Sequence, residues 1–474
     1  MTIPPKPEGH THDGKKVLVL GAGRSGQAAA RWLRSQGAHV TVSDLLPLDD
    51  WPTTFLSLCQ EKGIGIEAGA NRVETAIRSD LVIVSPGIPL TIPAISEARL
   101  RGIPVHGELD LAISHWMGPI LALTGTNGKT TTTALTGAML EAAGIDHRVA
   151  GNIGTPLSRF LEGHTEKTVA VLEVSSFQLD AIPDGASIPP MRGVAWLNLA
   201  PDHLDRYPDL DSYGQSKAKI LDLVGTDGCP ILNRDDPHLA PWIPKVTGRL
   251  LTFGHGAGPD AGAAIRQEQI TVRWPDGQTE EYPLGGWSLP GRHNRENLAA
   301  AILLARLAGA RPRDIQQTIG TFHAPAHRLE FVLTRDGISY YNDSKATNVA
   351  SVLRAMDAID RPIVLIAGGR GKGEDYAPLL ERGQGRLRAV VVLGEEAESI
   401  RRVFDGHVPI SRVQGETSGR AVMHAAVRIA EGHARTGDVI LLAPACASFD
   451  LFSNFEERGR IFMETVRAGK GIGT

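Results

Sequence analysis

Short, unbroken apolar runs that stop at glycine or a small polar residue recur along most of this chain. The first is Lys16-Val17-Leu18-Val19-Leu20. A run without alternation predicts a strand buried on both faces, as in a parallel sheet. It leads into Gly21-Ala22-Gly23-Arg24-Ser25-Gly26 and a helical stretch over residues 27–36, which Gly37 stops. A second strand over 38–43 ends at Asp44, and a third over 80–85 breaks at Pro86-Gly87. Strand, helix and strand in this order predict a βαβ unit.

The pattern restarts near Pro119. Residues 120–123 predict a strand, 124–129 a glycine-bearing loop and 130–143 a helix closed by Gly144; strands follow over 169–174 and 193–198. Residues 247–289 hold short β-like pieces with a Pro275-Asp276-Gly277 turn, and Asn294 is placed to cap a helix over 295–308 that ends at Gly309. A third unit opens with a hairpin, strands 330–334 and 338–342 around Asp336-Gly337. Strands over 362–367, 387–393 and 438–443 then alternate with helical segments. The expectation is three α/β units in series.

At 474 residues the chain exceeds what one ordinary core supports, which agrees with two or three domains. It carries 49 Lys and Arg against 53 Asp and Glu, a net charge of -4. This near balance offers no general attraction for nucleic acid or anionic membranes. The three cysteines, Cys59, Cys229 and Cys446, are far apart and lack metal-ligand spacing, as expected in a reducing compartment. Residues 1–16 lack the apolar stretch of a secretory signal, and no apolar run reaches membrane-spanning length. A cytoplasmic protein is expected.

Two glycine motifs carry candidate chemistry. Gly21-x-Gly23-x-x-Gly26 lets phosphates approach the backbone at a helix N-terminus, and Asp44 would suit a ribose hydroxyl. Alone this points to a nicotinamide cofactor and an oxidoreductase, or to nothing more than a tight turn. Thr124-Gly125-Thr126-Asn127-Gly128-Lys129-Thr130 is sharper. Loop amides would cradle phosphates, Lys129 would neutralise them and Thr130 could reach Mg²⁺, although Leu123 holds the place of the first glycine of the full motif. Glu173 ends an apolar strand, where a carboxylate costs folding free energy unless it is paired or metal-bound. His203, in the polar run 198–207, could be a second ligand or a solvated loop residue, and Lys217 passes as a surface lysine. Residues 342–348 and the glycine-rich run 368–373 place cations at strand ends, which favours anion binding. A nucleotide-sensing module without catalysis is a third reading of the same motifs.

Together these segments resemble the Mur ligase family over residues 17–463. The loop 124–130, Glu173 and the run 202–207 match the wider family. Ser85-Pro86-Gly87, Asn342-Asp343-Ser344-Lys345-Ala346-Thr347-Asn348 and Pro444-Ala445-Cys446-Ala447-Ser448-Phe449-Asp450 resemble its glutamate-adding branch.

The resemblance implies a three-domain α/β fold. A Rossmann-like N-terminal domain would span 1–107, with 1–15 disordered. A central P-loop ATPase-type domain with a mostly parallel sheet would span 108–324, and a Rossmann-like C-terminal domain 325–474. It implies an ATP-dependent acid–amino-acid ligase that works through an acyl phosphate and joins D-glutamate to UDP-N-acetylmuramoyl-L-alanine; a branch adding another amino acid is the alternative. Gly21, Gly23, Arg24, Ser25, Gly26, Asp44, Ser85, Pro86, Gly87 and Asn152 would face the uridine nucleotide substrate. Gly125, Thr126, Asn127, Gly128, Lys129, Thr130, Thr131, Asn294, Arg328 and Asp343 would hold ATP. Thr130, Glu173, His203 and Lys217, the last as a CO₂-derived carbamate, would hold two Mg²⁺. Lys345, Thr347, Lys372, Ser448 and Phe455 would take the glutamate, and Lys129, His203, Lys217 and Lys345 would be catalytic. A monomer that closes its last domain on ATP is expected.

Overall fold

The apolar run Lys16–Leu20 is strand β1 of a parallel sheet completed by β2 (His39–Asp44), β3 (Gly65–Ala68), β4 (Leu81–Val84) and β5 (Val105–Gly107). Across the sheet the order is β3-β2-β1-β4-β5. The order reverses beside β1, so the glycine turn opens on the crevice where doubly wound sheets bind ligands. The computed structural model describes residues 12–183, 185, 188–203, 206–246, 248–256, 261–323 and 326–469. Residues 1–11 of the leader, Leu204, Asp205, Thr247 and the expected boundary at 324/325 lie outside these. Residues 12–15 precede β1, and His12 among them is buried, its ring against Trp32 and His115. The disorder expected through residue 15 therefore does not extend over these four.

The second unit holds β6 (Ile120–Thr124), β7 (His147–Gly151), β8 (Val169–Glu173), β9 (Met191–Trp196), β10 (Val224–Asn233), β11 (Leu251–His255), β12 (Gly262–Ile265), β13 (Gln269–Arg273) and β14 (Thr279–Pro283). Their order is β14-β13-β12-β11-β10-β9-β6-β8-β7, parallel except where β12, β13 and β14 run antiparallel. The third unit holds β15 (Glu330–Arg335), β16 (Ile338–Asn342), β17 (Ile363–Gly368), β18 (Leu387–Leu393), β19 (Ile410–Arg412) and β20 (Val439–Leu442), in the order β15-β16-β20-β17-β18-β19. Among the named strands of this sheet only the β15–β16 hairpin is antiparallel.

One boundary is corrected. Asn294 does not cap its helix: the helix runs Arg292–Leu307 and Gly291 is its N-cap. Gly291 has φ +92, which lets the chain turn into the helix three residues earlier. Asn294 lies in the first turn, where its Nδ2 donates to Pro290 O at 2.7 Å.

The cores join the units unequally. Val17, Trp32 and Leu33 of the first unit share one apolar cluster with Ile120, Leu157 and Leu172 of the second. The buried members of the third unit's two clusters all lie between Leu329 and Val466. Among the described residues the third unit shares no apolar core with the other two.

Candidate active site between the second and third units

β6 ends at Thr124, and the helix Lys129–Ala142 begins five residues later with Gly128 as its N-cap at φ +84. A Cβ on Gly128 would lie 2.2 Å from Asn297 Oδ1, so the turn requires glycine. Asn198, just past β9, clamps the loop. Its carbonyl accepts Thr126 N at 3.1 Å, its Oδ1 accepts Asn127 N at 2.8 Å, and its Nδ2 donates to Asn127 O at 2.9 Å. Lys129 Nζ donates to Gly125 O at 2.7 Å and Thr126 O at 2.8 Å, so its ammonium is held inside the loop. Burial lowers its pKa, and Glu173 and Asp202 oppose that shift. Thr130 and Thr131 follow in the helix's first turn.

Glu173 ends β8 beside this loop and is 3% exposed. Its Oε1 accepts Asn152 Nδ2 at 3.0 Å, while Oε2 is buried with no hydrogen-bond partner. A carboxylate oxygen orphaned in this way fits a divalent cation better than an empty core. His203 has φ +56, and its amide donates to Asp202 Oδ1 at 2.9 Å. Burial against Phe177 and Tyr213 lowers its pKa to about 4 despite Asp202, which keeps the imidazole neutral, the form that binds metal.

Lys217 is not the surface lysine that composition suggests. The helix Leu210–Ala218 turns it inward to 1% exposure, with Nζ 4.3 Å from the Tyr213 ring centre. Burial, and next the charge of Lys129, holds its pKa well below the usual lysine range. A neutral amine is what attacks the carbon of CO₂, losing a proton as the carbamate forms, so the residue fits a carbamate.

The third unit supplies the facing wall. Asp343 and Arg328 are buried near one another; burial raises the Asp343 carboxyl to about 6 against the pull of Arg328. Burial also lowers the pKa of Arg328, whose anionic neighbours are Glu173 and Asp343. Lys345 has its Nζ 3.6 Å from the Phe455 ring centre, and burial lowers it to about 8. Between the walls lies a cavity of about 530 Å³, lined by Asn127, Gly128 and Thr131 on one side and by Arg328, Asp343 and Lys345 on the other. Asn294 and Asn297 also line it.

Four contacts hold the walls together. Asn348 Nδ2 donates to Asp202 Oδ2 at 2.9 Å and to Asn127 Oδ1 at 3.4 Å, and Ser351 Oγ donates to Asn127 Oδ1 at 2.6 Å. Lys372 Nζ pairs with Asp202 Oδ1 at 3.1 Å. Burial pushes the Asp202 pKa up, but Lys372, His203 and Asn348 outweigh it and the net shift is downward. Thr347 precedes Asn348, which caps the helix Val349–Asp357. Ser448 is buried, and Phe455 opens the helix Phe455–Ala468. The sequence reading did not single out Asp202, Asn297, Asn348 and Ser351 as site residues. Asp202 lies beside His203 and Asn348 ends the run 342–348, whereas Asn297 and Ser351 carry no local signal.

The first unit's residues gather at its own sheet edge. Gly21 has φ +101, and a Cβ there would meet Ser85 Oγ at 2.7 Å; a Cβ on Gly26 would meet Gly21 O. Gly23 caps the helix Arg24–Ser35, so Arg24 and Ser25 open it. Asp44 Oδ2 accepts Ala22 N at 2.7 Å and Oδ1 accepts Leu46 N at 2.9 Å, so the carboxylate expected to meet a ribose also shapes the loop. Pro86 lies between Ser85 and Gly87. Gly87 O accepts Arg206 Nη2 at 3.0 Å, tying this edge to the His203 loop.

The chain matches the Mur ligase middle domain over residues 123–305 and the Mur ligase glutamate ligase domain over 327–446. It also matches the Mur ligase MurD-like N-terminal domain over 15–107. This chain belongs to the Mur ligase family. Among its relatives, the UDP-N-acetylmuramoylalanine–D-glutamate ligase of Acidobacterium capsulatum is 41% identical over 464 residues, covering 97% of each chain. That of Myxococcus xanthus is 40% identical, covering 96% of this chain and 98% of the relative. The same fold occurs in a pseudomurein peptide ligase from Methanothermus fervidus, with TM-score 0.62 at 18% identity, over 96% of this chain and 100% of that one. MurF from Acinetobacter baumannii has TM-score 0.59 at 17% identity, over 96% and 92%. The Mur ligase fold thus accounts for all three units. Among the described residues no helix is long and apolar enough to cross a membrane.

Proposed function

We propose that this Mur ligase phosphorylates the L-alanyl carboxylate of UDP-N-acetylmuramoyl-L-alanine with ATP and joins the resulting acyl phosphate to the amine of D-glutamate. It would supply a cytoplasmic step of peptidoglycan precursor synthesis. The observation that carries this reading is the cavity with the phosphate loop on one wall and Arg328, Asp343 and Lys345 on the other. One unit can hold a triphosphate there while the other brings the acceptor.

Glu173, His203, Thr130 and a carbamate on Lys217 would hold two Mg²⁺, which would draw off charge as the phosphoryl group transfers. The residues' own parts follow from their positions. Lys129 would exchange its loop carbonyls for phosphate oxygens, and the loop amides at the helix N-terminus would add fixed positive potential. Lys345 and Arg328 would neutralise the same charge from the opposite wall. Asn294, Asn297 and Asp343 would receive the nucleoside. The glycine turn, with Arg24, Ser25, Ser85 and Asn152, would hold the nucleotide-sugar so that its peptide carboxylate reaches the loop. Lys372, Thr347, Ser448 and Phe455 would hold D-glutamate, whose amine attacks the acyl phosphate and expels phosphate. Because the third unit shares no apolar core with the others among the described residues, it would close as ATP and acceptor bind.

Phosphate release that requires ATP, UDP-N-acetylmuramoyl-L-alanine and D-glutamate together tests this reading. Equal release with another amino acid would move the chain to a different branch. A change in nicotinamide absorbance without phosphate would overturn the reading.

A further inference from the structure

Arg458 is 0% exposed on the inner face of the helix Phe455–Ala468. Its Nε donates to Ser344 Oγ at 3.0 Å and Nη2 to Ser344 O at 2.9 Å; Nη1 donates to Cys446 O at 3.1 Å and Ala447 O at 3.3 Å. Ser344 Oγ passes the network on to Phe455 O at 2.9 Å. Gly369 is packed against the same group: a Cβ there would lie 3.2 Å from Nη1 and 2.2 Å from Ala447 O. One side chain therefore ties together the loops that carry Lys345 and Thr347, Ser448, and Lys372, along with the start of the helix that carries Phe455.

Its partners are all neutral. Among the described residues no carboxylate lies within ion-pair distance of Arg458. A buried guanidinium without a counter-ion is costly, and an apolar side chain of similar size would fold more cheaply. The fork of five donors explains how the loops are cross-linked. Asp450 acts on this charge from beyond ion-pair distance and offsets it only in part, and an anion bound among those loops would complete the balance.

We propose that Arg458 is a positioning residue that selects a dicarboxylic acceptor, by fixing the Ser344 and Ser448 loops and by leaving a positive charge without a paired counter-ion beneath the site they form. This rests on the assignment of those loops to D-glutamate. The second carboxylate of the acceptor then adds to the partial compensation that Asp450 supplies. A mono-carboxylate analogue gains the shape of the site without that attraction.

The test uses the full chain with D-glutamate and D-glutamine as acceptors. Arg458→Gln should raise the KM for D-glutamate about 10- to 100-fold, the range for a lost charge-assisted contact. It should narrow the preference over D-glutamine and leave the KM for ATP and for the nucleotide-sugar within about twofold. Arg458→Lys should recover most of the preference, because it keeps the charge. An unchanged D-glutamate KM and preference in Arg458→Gln would overturn the proposal, as would a parallel loss for all three substrates. Should Arg458→Gln not fold, Ser344→Ala removes two of the network's bonds and costs Arg458 Nε its acceptor, while Ser344 O, Cys446 O and Ala447 O still hold the rest of the guanidinium. It should raise the D-glutamate KM alone, and a flat KM would overturn the proposal. A wild-type enzyme that does not turn over D-glutamate would instead sink the functional reading beneath it.

Discussion

Lys372 Nζ lies 3.1 Å from Asp202 Oδ1, and this ion pair fastens the glycine-rich loop of the third unit to the His203 loop of the second. Both side chains are mostly buried, at 16% and 7% exposure, so the pair is little screened. An incoming carboxylate must share Lys372 with Asp202 or displace it. Lys372→Met should therefore raise the D-glutamate KM about 10- to 100-fold, the equivalent of roughly 1.5–3 kcal/mol for a charged contact. The KM for ATP should change far less. Steady-state kinetics with each substrate varied in turn measures this, and an unchanged D-glutamate KM would remove Lys372 from the acceptor site.

How much of this was legible in the chain depends on the range of the interaction. β1, β6, β8, β17 and β20 are unbroken apolar runs, and the sequence shows each to within about two residues. β10 was invisible, because Gly225, Gly228 and Pro230 interrupt it and only pairing with β9 and β11 makes it a strand. The short edge strands β3 and β19 carry too few residues to show a period. The phosphate loop was readable because its chemistry is contiguous. Arg458 was not, and Lys217 was reached only through the family resemblance, since their burial comes from packing and leaves no trace in neighbouring residues. The Lys372–Asp202 pair spans 170 positions, and no local pattern could reveal it.

Lys217 gives a direct chemical prediction. Burial and the charge of Lys129 hold its pKa well below the usual lysine range, which favours the neutral amine that takes up CO₂. Protein incubated with ¹³C-bicarbonate should show a carbamate carbon resonance that is absent from Lys217→Arg. That variant keeps a cation where an anion is needed and should lose about 100- to 1000-fold in kcat, the scale of a lost electrostatic element of catalysis. Full activity in Lys217→Arg would exclude the carbamate.

Gly128 tests the loop without touching charge. Its φ of +84 costs an L side chain about 1–2 kcal/mol, and the added Cβ would also press on Asn297 Oδ1 at 2.2 Å. Gly128→Ala should weaken ATP binding by calorimetry at least tenfold and leave the first unit's affinity for the nucleotide-sugar intact. Normal ATP affinity in a folded variant would mean that the loop is not where the triphosphate sits.

Glu374 links the same interface to pH. Its Oε2 accepts Val349 N at 2.8 Å at the start of the helix Val349–Asp357, and Oε1 is buried without a partner. Burial raises its pKa from 4.5 to about 7; Asp202 adds to the rise, while the Val349 amide and Lys372 oppose it. The folded protein thus holds this proton more tightly than the unfolded chain does. The stabilisation is complete below about pH 4.5 and is lost as pH rises through about 7. Glu374→Gln keeps an acceptor for Val349 and cannot ionise, so its stability should lack this component of the pH dependence. Melting temperatures of the two proteins should converge near pH 5 and separate near pH 8, with the variant higher. Parallel curves across that window would show that Glu374 ionises freely in the folded protein and that its buried oxygen is reached by solvent.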